Sequence, residues 1–211
     1  LDYWLKNDHK NVRIRYTTNF STLNYKDKNI LEYWKQFYDV KVAASLDDSG
    51  VKAEYLRKGT NWQTIVDNRK KMMATCPHVY FEITPTISAF NLLSFIDFHK
   101  EWVEQGLLEP NNVRVNLLSH PASQSTQVLP ARVKKMARRK YREYKLWLTH
   151  QFPGQGFDQL FGGLESILSF TLEKDTSALL PDFIDYNNRI DKIRSESFHE
   201  VYPELSEHLN V

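Results

Sequence analysis

The chemistry this chain can offer gathers in four stretches rich in hydroxyl, amide and charged groups. Thr17-Thr18-Asn19, Ser45-Leu46-Asp47-Asp48, Thr84-Pro85-Thr86 and Asn116-Leu117-Leu118 each end a run of β-branched or aromatic residues. Brought together, such groups make a wet cleft that holds a polar ligand. Arg57 adds a planar, permanently charged guanidinium a short way past the second of these stretches. An exposed pair with Glu54, three residues earlier, is the alternative for this arginine. Glu82 is the best candidate for a substrate-side acid or base, a weak one, because a salt bridge to Arg114 or Lys41 is the favoured account of it. Cys76 has no evident partner in catalysis and reads as a core thiol. The seven histidines are scattered without an H-x-x-H or H-E-x-x-H pair, so no metal site is assigned.

These groups need elements to position them. Residues 11–18, 40–46, 79–86 and 113–118 read as strands. Helical patterns occupy about 27–37, 62–74 and 92–105 between them, and such alternation argues for right-handed crossovers and a parallel sheet. A parallel strand covered on both sides should be almost continuously apolar. Here one side of every strand is polar: Arg13, Arg15 and Thr17; Lys41, Ser45 and Asp47; Glu82 and Thr84; Arg114 and Asn116. Two architectures accommodate that alternation. One is a half-exposed sheet with water on one face. The other, which we favour for its crossover helices, is a partial (β/α) barrel of class α/β with a polar concave side and its site at the C-terminal strand ends. A Pro/Ser/Gln loop at 119–130 separates this body from a helical C-terminal extension. The expected division is therefore 1–125 for the barrel portion and 126–211 for the helices. The extension reads as helices over about 131–150 and 158–172, then an acidic helical tail from Pro181 to about 208, with Pro203 a point for a kink.

At these strand ends the sequence resembles the later part of a radical S-adenosylmethionine enzyme, in the branch that carries a short C-terminal twitch domain. The resemblance is carried by Val12-Arg-Ile-Arg-Tyr-Thr-Thr-Asn19 and by Val42-Ala-Ala-Ser-Leu-Asp-Asp-Ser-Gly50, followed by Arg57 and Trp62. Glu82-Ile-Thr-Pro-Thr-Ile-Ser-Ala-Phe-Asn91 and Val113-Arg-Val-Asn-Leu-Leu118 are similar to the fifth and sixth strands of that family. The likeness covers roughly residues 10–120. It implies that Ser45 and Arg57 help hold S-adenosylmethionine, the guanidinium on its carboxylate, with Asp47 accepting from a ribose hydroxyl. Thr17, Asn19 and Asn91 are weaker candidates for the same cavity. The family's C-x-x-x-C-x-x-C loop for a [4Fe–4S] cluster is not in the chain, so the cluster is expected only in a longer parent. Asn19 and Asp47 are also followed by Phe20 and Asp48, where the family has glycine. A peptide or small metabolite is the expected substrate, and an N-terminal barrel half the expected structural partner.

Composition sets outer bounds. A hydrophobic fraction of 41% over 211 residues supports a real core. One cysteine excludes an internal disulfide framework and suits a cytoplasmic protein. No apolar run is long enough to span a bilayer. The chain opens at Leu1 without Met, and we expect it to be a piece of a longer protein or a processed product. The net charge of +2 hides an asymmetry: residues 157–211 carry 11 acidic and 4 basic side chains, and residues 1–156 carry 15 and 24. Eight Lys/Arg side chains lie between 132 and 145 on an amphipathic helix. They could contact nucleic acid or dock the acidic tail, and a non-catalytic α/β binding module is the alternative to the enzyme reading.

Overall fold

Period-two alternation along the strands is what organises the body. The computed structural model describes residues 1–209. In chain order these form α1 (Asp2–Lys6), β1 (Arg13–Thr18), a small hairpin of β2 (Asn24–Tyr25) and β3 (Lys28–Asn29), α2 (Ile30–Trp34) and β4 (Asp39–Ala44). Next come α3 (Gly50–Leu56), α4 (Trp62–Thr75), β5 (Tyr80–Ile83), β6 (Thr86–Ile87), α5 (Phe95–Glu104) and β7 (Asn116–Leu117). The C-terminal part is α6 (Ala131–Gln151), α7 (Asp158–Glu173), α8 (Leu180–Arg194), α9 (Phe198–Val201) and α10 (Pro203–Leu209).

The sheet is parallel in the order β1-β4-β5, with Ile14 opposite Val40 and Val42 opposite Phe81. A fourth strand continues it in the same direction. Ile83 N–H donates to the Asn112 carbonyl (2.9 Å), Arg114 N–H to the Ile83 carbonyl (3.0 Å) and Leu118 N–H to the Ile87 carbonyl (2.9 Å), with β6 and β7 paired in parallel. The four expected strands are thus neighbours in chain order and share one orientation. Together they make a mixed α/β body with a helical C-terminal part.

One face of the sheet is fully apolar. Val42, Ala44 and Ile83 are completely buried, and Ile14, Val40 and Phe81 nearly so. Trp34 of α2 meets Tyr16 at 5.4 Å and Trp102 of α5 stacks near Phe81 at 6.3 Å, while Ile65 and Met72 of α4 join the same core. Each large side chain so buried contributes about 1.5–3 kcal/mol, which anchors the helices to this side. The opposite face is left to Arg13, Arg15, Thr17, Lys41, Glu82 and Arg114, and both arginines of β1 are exposed. Cys76 is buried, its thiol 3.4 Å from the Leu31 carbonyl.

The basic helix is amphipathic as expected, and its apolar stripe of Val133, Ala137, Tyr141, Tyr144 and Leu148 is buried throughout. The hydrophobic core runs unbroken from Ile14 to Leu209, across residue 125. An aromatic group of Phe90, Phe183, Phe198 and Tyr202 joins body to extension, with Phe90 and Phe183 at 5.0 Å. Two expected helices need correction. The one at 27–37 is shorter, because the β2–β3 hairpin takes its start and Asn29 caps it at the Leu31 N–H. The acidic tail is three helices, not one kinked helix. Ser195 adopts a left-handed φ of 53° that ends α8, and Asp191 then accepts from the Phe198 N–H at 2.7 Å.

Candidate functional site

The parallel strands all end at one rim, and the backbone there is held by side chains that the strands themselves deliver. Asp47 lies three residues past β4. Its Oδ2 accepts from Arg57 Nε at 2.7 Å and its Oδ1 from the Thr86 N–H at 2.8 Å. Arg57 thus pairs with Asp47; Glu54, the alternative partner, instead accepts from the Trp62 N–H. Because Arg57 uses Nε for this bond, its two terminal nitrogens take no protein partner among the described residues. A guanidinium held through Nε, with both terminal nitrogens unengaged, is arranged to meet a planar anion end-on.

Asn91 fixes this arrangement from below. It is completely buried; its Nδ2 donates to the carbonyls of Asp47 (2.8 Å) and Thr86 (3.1 Å), and its Oδ1 accepts from the Ser88 N–H (2.8 Å) and hydroxyl (3.2 Å). Its amide is spent on the protein, so it positions the rim and does not reach open space. Ser45 continues the sheet, its N–H bonding the Thr18 carbonyl at 2.8 Å, and its hydroxyl takes no protein partner among the described residues. Thr17 is exposed on the polar face of β1. Asn19 is committed to a local turn, its Oδ1 accepting from the N–H and hydroxyl of Ser21. The structure therefore joins Asp47, Arg57 and Asn91 in one bonded cluster and leaves Thr17, Asn19 and Ser45 outside it, Ser45 standing two residues before Asp47 in the chain.

Beside the cluster is a hollow of about 180 Å³ between the strand ends and α8, lined by Asp47, Tyr55, Thr86, Gln124, Tyr186 and Arg194 among others. Tyr55 OH donates to Asp191 Oδ1 (2.8 Å), and Arg194 Nη1 to the Tyr55 carbonyl (3.0 Å), so α8 is bolted to α3 at the mouth. Burial and the adjacent Asp191 carboxylate raise the Tyr55 phenol well above its usual range. Neighbouring Asp48 is buried and pushed up to about 6, principally by desolvation; the Ser94 hydroxyl and the Ser49 N–H oppose that shift. Tyr186 and Arg194 carry no signal in the sequence, since only the packing of α8 brings them here. Tyr55 falls between Gly50 and Arg57 and carries no signal of its own either.

Glu82 sits apart, on the polar face of the sheet. It is buried between Lys41, whose Nζ lies 2.8 Å from Oε2, and Arg114, whose Nη2 lies 3.5 Å from Oε1. The salt-bridge reading of this residue is the one the geometry bears out for both cations. Among the described residues no three His, Cys, Asp or Glu side chains gather in a way that could hold a metal ion. No described helix is long and apolar enough to cross a membrane. No family model, no curated protein and no solved structure matches the chain.

Proposed function

We propose that this chain is the later part of a radical S-adenosylmethionine enzyme of the twitch-bearing branch, supplying part of the S-adenosylmethionine pocket and the substrate side of its cavity. The observation that carries the reading is the Asp47–Arg57 pair at the C-terminal rim of four like-oriented strands, with the arginine fork unengaged. Those two terminal nitrogens suit the carboxylate of the amino-acid end of S-adenosylmethionine. The Ser45 hydroxyl, two residues before Asp47 in the chain, is the second polar contact on this reading. With both Asp47 oxygens already bonded, its main work is to aim Arg57 and Thr86, and a ribose hydroxyl would have to share its remaining lone pairs.

The chain's residues do not fit an iron–sulfur cluster. Its single cysteine is buried against the Leu31 carbonyl, and cluster ligation needs several thiolates. The cluster belongs, on this reading, to the N-terminal barrel half of the parent. Two features support such a half. The outer edge of β1 bears no strand among the described residues. Beside it lies a hollow of about 410 Å³ lined by Tyr16, Phe20, Tyr25, Tyr33 and Trp34 among others, an aromatic surface for such a half to cover. The polar sheet face then becomes the wall of a partial (β/α) barrel, and a peptide or small metabolite is the substrate class we infer.

The test is direct. In the intact parent, Arg57→Ala lowers S-adenosylmethionine affinity at least several-fold by equilibrium dialysis. An unchanged affinity removes the assignment.

A further inference from the structure

The basic helix α6 sorts its cations by direction. Those turned toward the body are neutralised. Lys134 donates to the Gln127 carbonyl at 2.8 Å and lies 3.6 Å from Asp175, Lys140 meets Asp97 (2.8 Å) and Glu204 (3.0 Å), and Lys145 meets Glu165. Docking to the acidic tail thus accounts for part of the helix's charge. Lys135, Arg138 and Arg142 are exposed and have no ion pair among the described residues. They repeat at i, i+3 and i+7, so they form one row about 10 Å long on the helix surface.

The row borders apolar surface. A hollow of about 370 Å³ opens over Met136, and a second of about 360 Å³ lies between α6 and α7 with Leu168 and Leu172 in its floor. Arg138 and Arg142 line both, so the two form one continuous surface. Leu172 is 43% exposed. No exposed aromatic ring lines either hollow, as Tyr141 is completely buried. Base stacking on single-stranded nucleic acid therefore has no platform here, and a duplex backbone would make no use of the leucine floor.

We infer that the α6–α7 face is a docking site for an acidic amphipathic segment, a helix that lays apolar anchors on Met136, Leu168 and Leu172 and its carboxylates along Lys135, Arg138 and Arg142. Helix-in-groove recognition uses this combination of an apolar stripe and a charged flank. The inference is independent of the strand-end site.

The test titrates the 211-residue chain by fluorescence anisotropy with a labelled amphipathic Glu/Leu helix of about 18 residues, its sequence-scrambled isomer and a DNA duplex of roughly 20 base pairs. The amphipathic probe should bind about tenfold or more tighter than the scrambled isomer. Arg138→Glu with Arg142→Glu should weaken it by a further factor of about ten, and Leu172→Asp by several-fold, whereas Lys71→Glu on the far helix α4 should leave it unchanged. These sites are exposed, and an unaltered circular dichroism spectrum shows that each variant is folded. Equal binding of the two peptides, binding of no peptide, or tighter binding of the duplex with a steep salt dependence would each overturn the inference.

Discussion

Two carboxylate–cation clusters lie on this sheet, and they differ in what they leave over. Glu82 sits mid-strand, buried, with Lys41 and Arg114 both turned onto it. Asp47 sits at the rim and uses one oxygen on Arg57 and the other on a backbone N–H, so the arginine is held by Nε alone. In the first cluster the cations serve the carboxylate. In the second the carboxylate serves the cation, and a hollow opens beside it. Similar residue types thus make a structural tie in one place and a rim cluster in another, and the difference lies in what the carboxylate holds: two cations at buried Glu82, one guanidinium and a backbone N–H at Asp47.

Removing the rim's foundation should have the largest effect. Asn91→Ala takes away both Nδ2 bonds to the Asp47 and Thr86 carbonyls and both bonds that Oδ1 accepts, leaving buried backbone groups without partners. A loss of about 3 kcal/mol in denaturant unfolding is expected. A loss comparable to an exposed-site substitution would mean that the rim is held by other contacts.

Asp48 gives an effect of similar size and opposite sign, through pH. Its folded-state pKa of about 6 lies above the ordinary 3.8, so the folded protein holds a proton that the unfolded chain has released. Stability from this group is intact below pH 4 and falls as pH rises toward 6. Asp48→Asn should leave stability little changed at pH 4 and raise it at pH 7 by up to about 3 kcal/mol. His99 provides the opposite slope. Completely buried beside the Tyr144 hydroxyl, it is driven by desolvation to about 3, and its contribution is lost as pH falls below 6.5. Parallel unfolding curves for wild type and Asp48→Asn at every pH would contradict the buried, protonated carboxyl.

Glu82→Gln should be milder. Arg114 and, less so, Lys41 keep contact with water, so losing the charge is expected to cost about 1 kcal/mol, and less as salt is raised. Loss of ligand binding without loss of stability would reverse the roles assigned to the two clusters.

The sheet was legible because each strand alternates β-branched or aromatic residues with polar ones, and both its faces and its parallel order follow from that pattern and the helices between. Arg57 was legible as a functional candidate, but its partner was not. Glu54 and Asp47 are both near in sequence, and only the chain path after β4 selects Asp47. Asn91 was legible as part of the site and not as its scaffold. The break at Ser195 was hidden because neither glycine nor proline marks it, and the contribution of α8 to the hollow depends on packing across more than 130 residues, between Tyr55 and Asp191.

Arginine side-chain NMR resonances of the chain, followed during titration with S-adenosylmethionine, test the central contrast most directly. The Arg57 guanidinium signals should shift and sharpen as the ligand carboxylate engages its fork, while those of Arg114 stay in place. Movement of Arg114 with Arg57 unmoved, or a silent Arg57 at saturating ligand, would contradict it.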